Sequence, residues 1–149
     1  MLLNANILSC YKLNGHDCCV LQVTGDDIRR IEEETRKQSS SPHWFEEREW
    51  RITASRFGDI SHMTDRRDRL KLSKSLTSRQ ILSTQPILHG KIYENVAIEQ
   101  FEKETGHKVE KCGLFVDEQH PYLAASPDGL VGKEFVVEVK CPYNGLQFS

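Results

Sequence analysis

The segment Phe135–Cys141 contains the most informative charged pair of the sequence. It reads Phe-Val-Val-Glu-Val-Lys-Cys, so Glu138 and Lys140 are two residues apart. Strand side chains alternate between two faces, which places this pair on one face. The apolar residues share the other face, which we expect to lie in the core: Phe135, Val137, Val139 and Cys141. The charged face has two interpretations, an ordinary solvent-exposed surface or part of a reactive site.

Two further carboxylates could join this pair. Asp128 lies in the sequence Ser-Pro-Asp-Gly, which favours a turn, and a hairpin-like return would bring it level with Glu138. Glu94 lies in a helical segment, where a rotation of about 100° per residue places it on the apolar stripe. An acid in an apolar stripe is costly unless a metal, a cation or a hydrogen-bond donor compensates it. The alternative is a boundary glutamate that reaches out to water.

A convergence of three carboxylates with a lysine would have a definite chemistry. Hard oxygen ligands select Mg²⁺ or Mn²⁺ over softer metals. Such a metal activates water and neutralises the charge that builds up on a phosphate. A lysine beside it can position or deprotonate the attacking water, or stabilise the pentavalent state. The candidate catalytic residues for phosphodiester hydrolysis are Glu94, Asp128, Glu138 and Lys140.

The net charge of −2 does not by itself indicate a protein that binds nucleic acid, but the distribution of the charges suits this chemistry. Residues 43–91 carry 10 basic and 6 acidic side chains, whereas residues 92–149 carry 5 basic and 10 acidic ones. Acids must gather to hold a cation, and basic residues must meet phosphate. Uneven surface charge without a function is the alternative interpretation.

Composition excludes several classes of protein. The chain has 149 residues, 38% hydrophobic and 28% charged, which is typical of a globular domain with its own core. No apolar run approaches the ~20 residues of a membrane span, and the N-terminus lacks the basic region of a signal peptide. Five cysteines without a C-x-x-C pair argue against a disulfide framework or a zinc site. We expect an intracellular protein with reduced thiols.

Capping residues and periodicity predict the elements that would position these residues. Helices are expected from Thr24 to about Lys37, over His43–Trp50, from Thr53 to about Ile60 and over Pro86–Thr105. Strands are expected in a hairpin within residues 6–23 and over residues 113–116, 122–125 and 134–141. The linker Ser39–Pro42 predicts a boundary between an N-terminal extension, residues 1–41, and a catalytic module, residues 42–149.

A basic segment lies between the predicted catalytic elements. Six basic residues fall within fourteen positions: Arg66, Arg67, Arg69, Lys71, Lys74 and Arg79. The segment is expected to be helical, with apolar contacts from Leu70, Leu72, Leu76, Ile81 and Leu82. A solvated helix face and a phosphate-contacting surface are both open interpretations.

Four sequence blocks resemble one nuclease family. Asp128 followed by Glu138-Val139-Lys140 resembles the PD-(D/E)xK motif, and the Ser126–Gly129 and Glu138–Pro142 blocks are similar to those of the lambda exonuclease and YqaJ viral recombinase family. Arg51–Ser55 resembles the family's R-x-T-A-S segment, Gly90–Asn95 resembles its G-K-x-Y-E-N helix, and Trp44 and Arg48 stand at its upstream tryptophan and arginine. The resemblance covers roughly residues 42–144.

The resemblance implies a fold and a set of roles. The fold would be α/β, a restriction-endonuclease-like core with a small mixed β-sheet flanked by helices. Asp128, Glu138 and the Val139 carbonyl would bind Mg²⁺ (or Mn²⁺), supported by Glu94, and Lys140 would be the catalytic lysine. A pocket for the 5′-phosphate of a DNA end would consist of Arg48, Ser55 and Ser126, which makes physical sense because arginine offers a bidentate fork and serine a neutral donor.

The implied activity is a Mg²⁺-dependent, 5′-to-3′ exonuclease that acts on 5′-phosphorylated duplex ends in recombination. Its expected partners are double-stranded DNA ends, a single-strand annealing protein and further copies of the chain. The family continues beyond the position of Ser149 with a helix and strands, so we expect a C-terminally shortened domain. Two alternatives follow: a catalytically silent module that binds DNA ends or a partner, and an endonuclease that needs no end.

Overall fold

The computed structural model describes residues 23–77 and 84–143. The chain forms two compact units: Met1–Arg79 with Gly113–Ser126, and Gln80–Cys112 with Pro127–Ser149. The hairpin predicted within residues 6–23 lies outside the described residues apart from Val23, and so do Ile81 and Leu82 of the basic segment. The two units are described separately below.

The described part of the first unit contains four α-helices, and the first of them begins at its predicted cap. They are α1 (Gly25–Glu34), α2 (Pro42–Glu49), α3 (Ala54–Ser61) and α4 (Arg69–Thr77). Thr24 caps α1 in a reciprocal capping box with Asp27, as expected for a helix start with acids in its first turn. The helix ends earlier than predicted, and a 3-10 turn follows it over Gln38–Ser40. Thr53 stands at the N-cap of α3 without a side-chain capping bond.

A small mixed sheet lies in the first unit. Its strands are β1 (Ile52–Thr53), β2 (Phe115–Val116) and β3 (Leu123–Ala125), in the order β1-β3-β2. Strand β1 runs parallel to β3 and β2 runs antiparallel to it. The core of the unit consists of Ile31, Leu114, Val116 and Ala124, with Val23, Ile28 and Trp44 packed against it. The prediction of an α/β fold with a small mixed sheet and flanking helices is confirmed.

Helix α1 is bound tightly to the chain just before β2. The buried Thr35 hydroxyl donates to the Ile31 carbonyl at 2.6 Å and accepts from the Leu114 N–H at 2.7 Å. The Gly113 N–H donates to Glu32 Oε1 at 2.9 Å. A Cβ atom at position 113 would collide with the Glu32 carbonyl oxygen, so only glycine allows this approach. Helix α1 is thus part of the core, while the predicted division at residues 41–42 stays a prediction.

The second unit contains one long helix and a hairpin among its described residues. Helix α5 (Gln85–Thr105) ends at Gly106, which adopts a left-handed φ of 74°, as predicted for glycine just past a helix end. Strands β4 (Gly129–Val131) and β5 (Phe135–Val137) pair antiparallel, and Glu110 forms a bridge with Leu130. No described helix of the protein is long and apolar enough to span a membrane.

The strand predicted over residues 134–141 is shorter than expected, and its apolar face is only partly covered. The prediction that this whole face lies in the core is wrong for Phe135, whose exposed fraction is 65%. Phe135 follows the turn of a two-stranded hairpin, and a ribbon of two strands covers little surface at its outer end. Val137, Val139 and Cys141 are partly buried, as the alternation predicts.

Candidate active site and anion pocket

The hairpin of the second unit holds Asp128 beside the chain that carries Glu138 and Lys140. The Asp128 N–H donates to the Val137 carbonyl at 3.1 Å. Its Oδ2 accepts from the Val139 N–H at 2.5 Å. The hairpin-like return that the turn sequence predicts therefore brings Asp128 level with Glu138. Glu138 directly follows the last residue of β5.

Glu94 lies on α5 within the electrostatic field of the other three residues. Partial burial raises the pKa of its carboxyl group, and the nearby charges of Asp128 and Glu138 raise it further. The positive charges of Lys111 and Lys140 oppose this rise in pKa. The charges of Asp128, Glu138 and Lys140 thus all act on the carboxyl group of Glu94. A surplus of negative charge in a partly desolvated place favours a bound cation.

Lys140 is a hydrogen-bond donor in this arrangement. Its Nζ pairs with Glu138 Oε1. This hydrogen bond is the main reason that the pKa of Lys140 is raised, with smaller contributions from the charges of Glu138, Asp128 and Glu94. A lysine with a raised pKa keeps its proton, so the geometry favours positioning and charge stabilisation over proton abstraction from water.

The donor chemistry fits a hard divalent cation, although the side chains are not assembled around one. Within residues 23–77 and 84–143, no three His, Cys, Asp or Glu side chains are grouped closely enough to hold a metal ion. Lys140 Nζ pairs with Glu138 Oε1, and the Val139 N–H donates a hydrogen bond to Asp128 Oδ2. Each carboxylate has a second oxygen, so Mg²⁺ could bind Glu138 and Asp128 without displacing these donors, with the Val139 carbonyl as a further oxygen ligand.

The first unit brings together the three residues predicted to bind a phosphate. Arg48 Nη1 donates to Ser126 Oγ at 3.3 Å, and Arg48 Nη2 donates to Ser55 Oγ at 3.4 Å. The guanidinium lies 4.1 Å from the centre of the Trp44 ring. Trp44 Nε1 also donates to Ser126 Oγ at 2.9 Å. Helix α2 thus presents the arginine, while α3 and the end of β3 present the serines.

Within residues 23–77 and 84–143, the charge of Arg48 has no negative partner. Arg51, three residues later, pairs with Glu47, whereas Arg48 has no carboxylate within 4.0 Å among the described residues. Burial lowers the pKa of Arg48, and the positive charge of Arg56 lowers it further. A guanidinium remains protonated at neutral pH despite such a shift. A partly buried cation beside a second cation and neutral hydroxyls is an arrangement that an anion would stabilise.

Two residues near these candidate sites were not expected from the sequence. Arg56 adds positive charge next to Arg48, and the charge of Lys111 lowers the pKa of Glu94. Trp44, expected only as a position that matches the family, donates to Ser126. Arg56 could have been suspected because it directly follows Ser55 on the same helix. Lys111 gave no such signal, because its placement depends on the bridge between Glu110 and Leu130, which are distant in sequence.

Comparison with known proteins agrees with this fold. The model of the YqaJ-like viral recombinase domain matches residues 43–148. The crystal structure of an alkaline exonuclease (LHK-Exo) from Laribacter hongkongensis is similar at 30% identity with a TM-score of 0.56, over 69% of this chain and 54% of that one. The structure of LHK-Exo in complex with dAMP gives 31% identity and a TM-score of 0.57, over 70% and 55%. No curated protein matches the chain.

The α/β fold, with its small mixed sheet and flanking helices, is that of the alkaline exonuclease structures. The chain belongs to the YqaJ-like viral recombinase family. It spans about half the length of the solved exonuclease structures that it matches.

Proposed function

We propose that the chain is a Mg²⁺-dependent deoxyribonuclease of the PD-(D/E)xK type that digests duplex DNA from 5′-phosphorylated ends in recombination. The observation that carries this proposal is the placement of Asp128 beside the segment with Glu138 and Lys140, whose charges also act on Glu94. The names of the similar structures, an alkaline exonuclease and its complex with dAMP, support a DNA exonuclease.

Each residue has a defined part in the proposed reaction. Asp128, Glu138 and the Val139 carbonyl would hold Mg²⁺, with Glu94 as a further support. The bound ion would activate water and neutralise charge on the scissile phosphate. Lys140 keeps its proton and donates a hydrogen bond toward the negative charge that develops on the phosphate.

The anion pocket would select the DNA end. Arg48 offers a charged fork and the two serine hydroxyls offer neutral donors, a set that matches the oxygens of a terminal phosphate monoester. The indole of Trp44 holds both the guanidinium and Ser126 in place. A 5′-hydroxyl end would leave the charge of Arg48 without a partner, so phosphorylated ends should be preferred.

A digestion assay tests both parts of the proposal. Linear duplexes with a 5′-phosphate or a 5′-hydroxyl are incubated in Mg²⁺ beside closed circular DNA. We expect loss of the phosphorylated linear DNA alone. Lys140→Ala should abolish this activity, whereas Lys133→Ala, at an exposed lysine in the turn of the same hairpin, should not. Full activity of Lys140→Ala or of Glu138→Ala would refute the catalytic assignment, and cleavage of circles would indicate an endonuclease.

A second candidate function is a silent module that binds DNA ends. The absence of three grouped metal-ligating side chains within the described residues favours it, as does the Lys140–Glu138 ion pair. Metal-independent binding of duplex ends by the folded protein, with no product after long incubation, would establish this function instead.

A further inference from the structure

The basic segment forms an exposed surface on α4. Leu72 is buried and Leu76 is partly buried, so this i, i+4 pair defines the side of the helix that packs inward. Lys71 and Lys74 are exposed on the opposite side. They are spaced i, i+3, which makes them neighbours on the helix surface. We name Lys71 and Lys74, with Arg66 in the preceding turn, the α4 basic surface.

The nearby acids are engaged by other groups. The Asp68 carboxylate accepts from the N–H groups of Leu70 and Lys71 at 2.9 and 3.1 Å, where it complements the N-terminal end of the helix dipole. Asp65 pairs with Arg69 at 3.5 Å. Arg66 and Lys71 have no carboxylate within 4.0 Å among the described residues. The surface therefore keeps positive charge at Arg66 and Lys71.

Arg56 connects this surface with the anion pocket inside the first unit. It projects from α3, and its Nη2 donates to the Ser75 carbonyl of α4. Ser75 is adjacent to Lys74 in the same turn of the helix. The charge of Arg56 also acts on Arg48. Arg56 also pairs with Asp59 at 3.7 Å, which offsets part of its charge. Basic side chains thus follow one another from Arg48 through Arg56 to the α4 basic surface.

We propose that the α4 basic surface binds the phosphate backbone of duplex DNA, inward from an end held at Arg48. The inference rests on the proposed function for the identity of the ligand. A row of cations that continues from a pocket for a terminal phosphate matches a polyanion with regularly spaced charges better than it matches a compact anion. Lysines suit such contacts because they act as mobile point charges that need no fixed orientation.

Binding measured without Mg²⁺ tests the surface separately from any cleavage. Fluorescence anisotropy would give the affinity of the Lys71→Ala/Lys74→Ala double variant for a long 5′-phosphorylated duplex at several salt concentrations. Two lost phosphate contacts should weaken binding roughly tenfold and reduce the slope of log K against log salt by about 1.8. Alanine is favourable in helices, so the variant should fold, which circular dichroism would verify.

Two control variants make the result specific. Lys103→Ala/Lys133→Ala removes the same charge from exposed positions of the second unit and should leave the salt slope unchanged. Arg48→Ala should abolish the preference for a 5′-phosphate over a 5′-hydroxyl, whereas the α4 double variant should retain this preference. A double variant with wild-type affinity and slope would overturn the proposal, as would an equal loss in the Lys103/Lys133 control.

The same data distinguish failure of this inference from failure of the proposed function. A wild-type protein that neither digests DNA nor prefers a 5′-phosphate would refute the proposed function. Its salt slope would still report whether Lys71 and Lys74 contact the duplex. Equal competition by a flexible acidic peptide and by the duplex would overturn the assignment of DNA as the ligand.

Discussion

Thr35→Val should destabilise the protein although valine has nearly the same shape as this fully buried threonine. The substitution removes the hydroxyl that accepts from the Leu114 N–H at 2.7 Å. The Ile31 carbonyl keeps its bond from the Thr35 N–H at 3.1 Å, so the buried N–H of Leu114 is the group left without a partner. An unsatisfied buried donor costs about 1–3 kcal/mol. For a domain of this size the midpoint temperature should fall by roughly 2–12 °C.

Urea unfolding followed by circular dichroism would measure this loss. Thr105→Val is a matched control, because its hydroxyl donates to the Phe101 carbonyl at 2.7 Å in the same i, i−4 geometry but at an exposed position. It should change the free energy of unfolding by less than about 0.5 kcal/mol. Thr35→Ser, which keeps the hydroxyl, should lose less than Thr35→Val. Equal losses in Thr35→Val and Thr105→Val would refute the reasoning, because the N–H of Leu114 would then not depend on Thr35.

Three further predictions concern the candidate sites. Burial, aided by the charge of Asp128, raises the pKa of Glu94 above its ordinary value of 4.5, so the folded state binds this proton more tightly than the unfolded state. The metal-free wild type should therefore lose stability relative to Glu94→Gln as the pH rises above 4.5, measured by urea unfolding across pH. Arg48→Lys keeps the positive charge but lacks the two parallel N–H donors of the guanidinium. The preference for a 5′-phosphate over a 5′-hydroxyl end, measured as the ratio of the two affinities, should therefore fall at least about tenfold. Lys111→Ala should raise the pKa of Glu94 further, because it removes a positive charge that lowers this pKa, whereas Lys108→Ala should not; urea unfolding across pH would measure the difference.

Local signals in the sequence were sufficient for the helices. The Thr24 capping box, Pro86 in the first turn and Gly106 past the last one each act within a few residues. Their effect does not depend on the rest of the fold, so these boundaries could be predicted to within a few residues. The position of the acidic residue Glu94 on an apolar helix stripe was likewise visible from nearby residues alone.

Long-range pairing explains what the sequence did not reveal. Strand β1 has only two residues, too few for a periodic pattern, and it exists because it pairs with β3 some seventy positions later. Lys111 is placed by the bridge from Glu110 to Leu130. The position of Phe135 depends on how many strands flank it, which alternation alone does not encode. For the candidate sites, the sequence predicted the members but not their partners, such as the ion pair between Lys140 and Glu138.

The close approach of α1 to position 113 restricts which residue this position can hold. Any side chain larger than a hydrogen atom would displace the Glu32 carbonyl and the Thr35 hydroxyl together. A relative with another residue at this position should therefore lack α1 or hold it elsewhere. Position 113 lies outside α1, yet a residue other than glycine there would identify relatives that do not hold the N-terminal helix in this place. Their sequences can be sorted on this basis before any further structure is solved.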